Sequence, residues 1–165
     1  MKIMCSYCRE IYGEKPPLED TDYTHGICKE CYSKETWKLN KLRADDYLVE
    51  TMEPSIVLNK EGRIISINNK MLRFLRKNSS SDVEGLRGGE AFGCKTAFGQ
   101  NGGCGCEEKC LICPVRGAVG ETFSKQKNLQ SVRCNLETKE GPVSFIVDTF
   151  YKEEEVVLII TKHDI

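Results

Sequence analysis

The chain has 165 residues, a length that suits one domain of ordinary size with a small appendage. It is 39% hydrophobic and 30% charged, and its 24 basic and 25 acidic residues leave a net charge of −1. This composition is typical of a soluble globular protein. The charge balance provides no field that would attract nucleic acid or an anionic membrane, so we expect neither as a partner.

The N-terminus, MKIMCSYCRE, lacks the apolar run of a signal peptide. No stretch of the chain approaches the roughly 20 apolar residues that a membrane helix needs. We therefore expect a cytoplasmic protein. Because thiols stay reduced in the cytoplasm, the ten cysteines indicate metal or redox chemistry and not a disulfide framework.

Two cysteine pairs, CSYC and CKEC, predict a small metal-binding module in residues 1–34. The 19 residues between the pairs are a spacing typical of zinc sites. A turn of two residues directs both sulfurs of a pair at one ion, and a second such turn completes a tetrahedron of thiolates. Disulfides, free thiols and an iron site stay open as alternatives. The predicted ligands of a structural zinc are Cys5, Cys8, Cys28 and Cys31.

A connecting helix is predicted over residues 35–53, where strong helix formers continue without Gly or Pro. Pro54 disfavours helical geometry at the residue before it and ends the helix. The apolar residues expected near one face of this helix are Trp37, Ala44, Leu48 and Met52.

A β-hairpin is predicted over residues 54–67, with PSIVLN and IISI as its strands and Gly62 in its turn. NNKMLRFLRKN then predicts a short helix, which the Asn68 side chain is expected to cap. The residues expected on the buried face of this helix are Met71, Leu72 and Leu75.

A cysteine-rich insertion at residues 94–113 separates these elements from the C-terminal ones. Pro114 stands at a helix-start position and predicts a helix over residues 113–127. NLQSVRCNLET, VSFIVDTFY and EEEVVLIITK predict three strands, with the acidic run at 153–155 in a solvated turn. The order of elements predicts an α+β fold, with a five-stranded antiparallel sheet and helices on one face.

Residues 45–165 resemble a PAS domain in the string SIVLNKEGRIISINNKMLRFL, in Gly85 and in the three-strand meander. The N-terminal segment resembles a cysteine-rich module found beside PAS domains in bacterial sensors, in CSYC and THGICKEC. Together they imply a zinc-ribbon-like module followed by a PAS-like sensor domain at 54–165. Such a domain binds a small ligand or dimerises, and passes its signal to a partner protein such as a kinase or a transcription regulator.

Two cofactors of PAS domains are disfavoured by this sequence. A haem would need an axial ligand on the helix at 113–127, but the two histidines of the chain are His25 and His163. The flavin-adduct variety carries an Asn-Cys-Arg string, whereas this chain has Arg-Cys-Asn around Cys134 on a predicted strand. We expect that lone cysteine to be a small buried hydrophobe. The sequence leaves any further cofactor-binding residue unknown.

The insertion resembles that of a subgroup of PAS sensors from anaerobic bacteria. The resemblance implies a second metal centre, in which Cys106 is an alternative ligand and the assignment between Cys104 and Cys106 stays open. The CLICP string and the nearby glycines favour a [4Fe–4S] cluster, while the wide gaps between the cysteines suit a second zinc equally. A reversible thiol switch is the remaining alternative. The matching cysteines are Cys94, Cys104, Cys110 and Cys113.

No paired acids, Ser-His-Asp or Cys-His arrangement, or phosphate-binding loop is found in the sequence, so we do not expect an enzyme. We expect a homodimeric PAS sensor that detects redox state or oxygen through a cysteine-ligated metal centre. The first alternative is a structural two-zinc adaptor, or a zinc-ribbon interaction module in transcription regulation. The second is a small iron–sulfur electron carrier.

Overall fold

The computed structural model describes residues 1–99 and 102–163. They form two compact units, one from Met1 to Leu42 and one from Arg43 onward. Positions 100 and 101 of the expected insertion, and positions 164 and 165 of the expected sensor domain, lie outside the described residues. Among the helices of the described part, none is both long and apolar enough to cross a membrane.

The first unit contains a three-stranded sheet that sequence patterns do not predict. Each strand has four residues and at most one Val, Ile or Leu, so the sequence shows neither an alternating pattern nor an apolar run. In the sheet, β1 lies in the middle, antiparallel to β2 and parallel to β3. The strands are β1 at Lys2–Cys5, β2 at Ile11–Glu14 and β3 at Tyr23–Gly26.

The helix α1 runs from Lys29 to Val49 and therefore begins inside the second cysteine pair, not at residue 35. The N–H of Cys31 donates to Sγ of Cys28 at 3.5 Å, which satisfies one of the amides left unpaired at a helix start. Ala44 and Leu48 are buried, as expected. The expectation for Met52 is wrong: it follows the end of the helix and is 72% exposed.

The second unit contains the five-stranded antiparallel sheet that the sequence predicts. The strand order is β5-β4-β8-β7-β6, and every neighbouring pair is antiparallel. The last strand thus lies in the centre, between the predicted hairpin and the rest of the meander. This arrangement confirms a PAS-like α+β fold. The strands are β4 at Ser55–Leu58, β5 at Ile64–Ile67, β6 at Leu129–Thr138, β7 at Gly141–Lys152 and β8 at Glu155–His163.

In the described part of the second unit, three α-helices follow α1. The cap predicted for α2 is present, since Oδ1 of Asn68 accepts from the N–H of Met71 at 2.9 Å. The longest helix, α4, begins with proline as predicted and packs against β6, β7 and β8. The helices are α2 at Asn69–Phe74, α3 at Gly88–Ala91 and α4 at Pro114–Lys125.

Three phenylalanines pack together in the hydrophobic core of the second unit. The ring of Phe92 stacks on that of Phe145 with centroids 5.4 Å apart, and Phe74 meets both edge-on at 6.1 and 6.0 Å. Such offset and edge-on contacts are the favoured geometries of aromatic pairs. The three rings join the helix side of the core to β7.

The acidic run before β8 is only partly the solvated turn that the sequence predicts. Glu153 and Glu154 form the turn with positive φ angles, and both are exposed. Glu155 is the first residue of β8 and is 2% exposed. The expectation is wrong for Glu155 because a cation, Arg43, lies within hydrogen-bonding distance of its carboxylate.

Candidate metal centre and cysteine-rich insertion

The four cysteines of the first unit come together. Cys5 ends β1, Cys8 lies in the turn after it, Cys28 directly precedes α1, and Cys31 is in its first turn. Their Sγ atoms all lie within 4.8 Å of one another, and those of Cys8 and Cys28 are 3.9 Å apart. Zinc–sulfur bonds of about 2.3 Å in a tetrahedron hold sulfurs roughly 3.8 Å apart. The four thiols therefore have the spacing that one four-coordinate ion requires.

The backbone around the first pair explains this spacing. Cys5 is the register partner of Gly26 across the parallel β1–β3 pair, two residues before Cys28. The N–H of Arg9 donates to the carbonyl of Cys5 at 3.0 Å and closes the turn that contains Cys8. Arg9 leaves this turn with a φ of 66°. The strand pairing and the turn thus bring both cysteine pairs to one place.

Hydrogen bonds and mutual repulsion give these four thiols different pKa values. The N–H groups of Cys28 and Cys8 donate to the Cys5 sulfur and lower the pKa of that thiol to about 6. The hydrogen bond with Cys28, followed by burial, raises the pKa of Cys31 to about 12. The pKa values of neighbouring groups separate in this way where several like charges lie close together. A divalent cation removes the repulsion and allows all four thiols to ionise.

The separations of these sulfurs distinguish between kinds of metal site. A four-iron cluster places its own inorganic core between the ligating sulfurs and so keeps them further apart than a single ion does. With the first four cysteines within 4.8 Å, the donor set fits one zinc or one iron ion. Four thiolates fill a tetrahedral ion completely, which leaves no position for a substrate.

The cysteines of the insertion are arranged differently. Within residues 1–99 and 102–163, the first quartet is the one group in which three or more metal-ligating atoms come together. Burial raises the pKa of the Cys104 thiol, a hydrogen bond with the backbone of Gly89 partly offsets this, and the charges of Cys110, Cys113 and Cys94 raise the pKa further. The four predicted ligands of the second centre thus interact electrostatically without the short separations of the first set.

Cys104 and Cys106 have different surroundings. The Cys104 sulfur lies against α3, where a Cβ added at Gly89 would be only 2.8 Å from it. Cys106 is exposed, and its sulfur is 3.7 Å from the carbonyl oxygen of Gly102. Of the two side chains, Cys104 is therefore the one enclosed by the folded domain.

The remaining cysteines of the insertion are tied to the folded elements of the second unit. Cys94 forms an isolated antiparallel bridge with Thr138 at the end of β6. Cys110 is buried, and Cys113 is the residue at the N-cap of α4. The N–H of Gly117 donates to the Cys113 carbonyl at 2.8 Å. A ligand bound by Cys94 and Cys113 would thus connect the sheet to the start of α4.

Two arginines beside the cysteine-rich loop were not expected from the sequence. Nη1 of Arg87 donates to the Cys104 carbonyl at 2.8 Å. The guanidinium of Arg116 lies beside Gly105, 3.7 Å from where a Cβ would stand. Their positive charges would offset the net negative charge of a thiolate-ligated centre. Single arginines carry no distinctive spacing, so no sequence pattern could identify them.

Cys134 is fully buried on β6, as the sequence predicts. Burial, with a smaller contribution from the charge of Cys113, raises the pKa of its thiol to about 12. At neutral pH this thiol remains protonated. It therefore behaves as a small apolar side chain.

No family model and no curated protein matches the chain. Among solved structures, it is similar to the PAS domain of an HTR-like protein from Haloarcula marismortui, with 15% identity over 81% of this chain and 98% of that one and a TM-score of 0.47. A domain of a sensory box sensor histidine kinase/response regulator from Geobacter sulfurreducens is 10% identical, with 76% and 96% covered and a TM-score of 0.49. The E. coli DhaR(N)–DhaL complex is 13% identical, with a TM-score of 0.44; the match covers 81% of this chain but only 38% of the chain it matches.

Proposed function

We propose that this chain is a cytoplasmic PAS sensor in which a structural zinc stabilises the first unit and a second, cysteine-ligated metal centre detects redox state or oxygen. The signal passes to a partner protein such as a kinase or a transcription regulator. The observation that carries the sensing role is the position of Cys113, which is both a candidate ligand of the second centre and the N-cap of α4.

The zinc proposal rests on the first four sulfurs. Their mutual distances, within 4.8 Å, match a single tetrahedral ion. A closed set of four thiolates performs no chemistry. Its binding free energy instead stabilises a unit whose three strands have only four residues each.

The second centre would be ligated by Cys94, Cys104, Cys110 and Cys113. Of the two candidate groups, a [4Fe–4S] cluster is the one we favour. These thiols lack the short separations of the first quartet, which a cluster with its own inorganic core does not require, and Arg87 and Arg116 supply positive charge beside the loop. A second zinc is the alternative, and it would make the protein a structural adaptor.

A change at this centre would act directly on α4. The positive end of the helix dipole lies at its N-terminus, where the charge carried by the Cys113 sulfur is felt most strongly. Because α4 packs against β6, β7 and β8, a change in how its first turn is held would reach the sheet. Reduction, oxidation or loss of the cluster would therefore alter the surface that a partner meets.

A homodimer is the assembly that we propose for signalling. The exposed apolar residues of α1 recur at intervals of three and seven, the spacing of a coiled-coil seam: Leu39, Leu42 and Val49 are 67, 65 and 78% exposed. Two copies of the helix could bury these side chains against each other. A Leu42→Asp variant should then sediment as a monomer under conditions where the unchanged protein is a dimer.

The decisive experiment is metal analysis of protein purified without oxygen. One zinc and about four irons with matching sulfide, and a visible absorption that bleaches in air, would support the redox sensor. Amide hydrogen exchange in residues 114–125 should then increase after exposure to air. About two zincs without iron would refute redox sensing at this centre and leave the adaptor.

A further inference from the structure

A cleft of about 870 Å³ opens in the second unit, beside the aromatic part of its core. Its walls are α2 with the residues that follow it, the end of α3, and the turn between β6 and β7. Pockets for small molecules typically have volumes of about 300–1,000 Å³. The cleft therefore has the capacity for a small organic molecule.

The apolar part of the lining includes three phenylalanines. Phe74 and Phe92 reach the cleft from the core, where they pack on Phe145, so the interior behind them is filled. Phe98 also lines the cleft and is 51% exposed. Flat aromatic faces of this kind stack on aromatic or aliphatic groups. An apolar ligand body would thus lie on the cleft side of the aromatic cluster.

The charged part of the lining carries an excess of positive charge. Two of its three acids are already engaged: Glu140 pairs with Arg76 at 2.8 Å, and Glu90 accepts the backbone N–H of Arg87. Among the described residues, Arg73 and Lys77 have no carboxylate within 4.0 Å. The cationic and acidic residues of the lining are Lys70, Arg73, Arg76, Lys77, Lys139, and Glu53, Glu90, Glu140.

Two further side chains of the cleft, Lys139 and His163, are placed where a ligand could interact with them. Lys139 holds its ammonium 3.3 Å from the ring centroid of Phe98, which combines a cation and an aromatic face at one point. His163 lies with its ring centroid 5.2 Å from that of Phe74. Its Nδ1 is buried and has no hydrogen-bond partner among residues 1–99 and 102–163. A buried polar atom of this kind is costly unless something pairs with it.

We propose that this cleft binds a small amphipathic anion, a carboxylate or phosphate on an aromatic or aliphatic body. The apolar body packs against Phe74 and Phe98, and the anionic group pairs with Arg73 and Lys77. No cysteine lines the cleft, so the ligand would contact neither set of candidate metal ligands. It would give the sensor a second input, a metabolite, beside the redox state of its cysteines.

The test uses three naphthalene probes that differ only in their headgroup: naphthoate, naphthyl phosphate and the uncharged naphthylmethanol. Binding to the metal-loaded full chain is measured by isothermal titration calorimetry. At least one of the anions should bind about tenfold more tightly than the alcohol, because the excess cations favour a negative charge. The tighter of the two anions identifies the headgroup that the cleft prefers.

Charge reversal locates the binding site. The variant Arg73→Glu/Lys77→Glu should lose the roughly tenfold advantage of the anion and leave the alcohol unchanged. The matched control, Lys127→Glu/Arg133→Glu, makes the same change in net charge at exposed positions outside the cleft and should keep that advantage. Phe98→Ala should weaken anion and alcohol alike.

Three results would overturn the proposal. The first is that no probe binds, and the second is that the alcohol binds as tightly as the anions. The third is that the control variant loses the anion advantage as fully as the cleft variant does, since only the overall charge of the protein would then matter. Urea midpoints of the variants, compared with that of the unchanged protein, establish that each is folded when it is titrated.

Discussion

The guanidinium of Arg43 on α1 donates a hydrogen bond of 2.9 Å to the carboxylate of Glu155, whose side chain is 3% exposed at the start of β8. A carboxylate so far from water is costly unless a cation pairs with it. Burial nevertheless raises the pKa of Glu155, so the pairing with Arg43 only partly offsets the lost hydration. This ion pair fixes the C-terminal half of α1 to the central strand of the sheet.

Removing the cation should therefore cost more than removing both charges. We expect Arg43→Met to lower the free energy of unfolding by about 2 kcal/mol, because it leaves Glu155 buried without a counter-charge. The double variant Arg43→Met/Glu155→Met should recover part of that loss. Urea unfolding of both proteins and of Glu155→Met completes the cycle. Losses that simply add would contradict the coupling.

The loss in Arg43→Met should also depend on pH. A carboxyl whose folded pKa lies above its unfolded value favours the folded state at low pH, and this contribution is lost as the pH rises through the folded pKa. Without Arg43 the folded pKa of Glu155 rises further. The difference in unfolding free energy between variant and unchanged protein should then shrink as the pH is lowered from neutral through the folded pKa of Glu155. A constant difference would show that packing, not charge, is responsible.

Much of the second unit could be predicted from the sequence because its patterns are local. PSIVLN and IISI predict a hairpin, Asn68 predicts a helix cap, and Pro114 predicts the start of α4. Glu155 could not be predicted to be buried. Its partner Arg43 lies 112 residues away in the chain, and a local sequence pattern cannot relate residues so far apart.

The candidate site was predictable to a different degree in its two halves. The spacing of CSYC and CKEC predicts four sulfurs around one ion, and the four sulfurs do lie together. The short strands that bring them together were not predictable, because each contains at most one Val, Ile or Leu, whereas β4 and β5, which are equally short, contain three each. In the insertion, the sequence could not decide between Cys104 and Cys106. Our proposal of Cys104 rests on its close contact with Gly89, which is remote in sequence.

Removing one ligand of the first centre should remove its metal. In Cys28→Ser three thiolates remain. The backbone N–H of residue 28 can still donate to the Cys5 sulfur, so the main change is the loss of one ligating sulfur. We expect about one zinc fewer per chain and faster hydrogen exchange in β1 and β3, because metal binding supplies the folding free energy of this small unit. Cys106→Ser is the control, since it lies outside this cluster. Retention of a full complement of zinc by Cys28→Ser would contradict the assignment.

The same substitution at two neighbouring cysteines should separate ligand from bystander in the insertion. Cys104→Ser should lose the second metal centre, because the Cys104 thiol interacts with those of Cys94, Cys110 and Cys113. Cys106→Ser should keep it, because that side chain is exposed. Metal content and visible absorption of anaerobically purified proteins measure both. Loss of the centre in Cys106→Ser alone would reverse the assignment.

Two adjacent glycines of α3 provide a test that leaves every cysteine in place. A methyl group at Gly89 would stand 2.8 Å from the Cys104 sulfur and 3.2 Å from Cβ of Ala97, whereas one at Gly88 meets nothing within 4 Å. Gly89→Ala should therefore displace Cys104 and lower the metal content of the second centre. Gly88→Ala should keep the metal and gain up to about 1 kcal/mol of stability, because alanine restricts the unfolded chain more than glycine does.

Metal analysis and visible absorption of the two alanine variants, purified side by side without oxygen, make the comparison. Equal metal content in both would mean that the loop around Cys104 shifts freely to accept a methyl group. A ligand held so loosely could not transmit a change at the metal to α4. Selective loss in Gly89→Ala would instead show that α3 sets the position of Cys104, and that the metal centre is built against the folded domain.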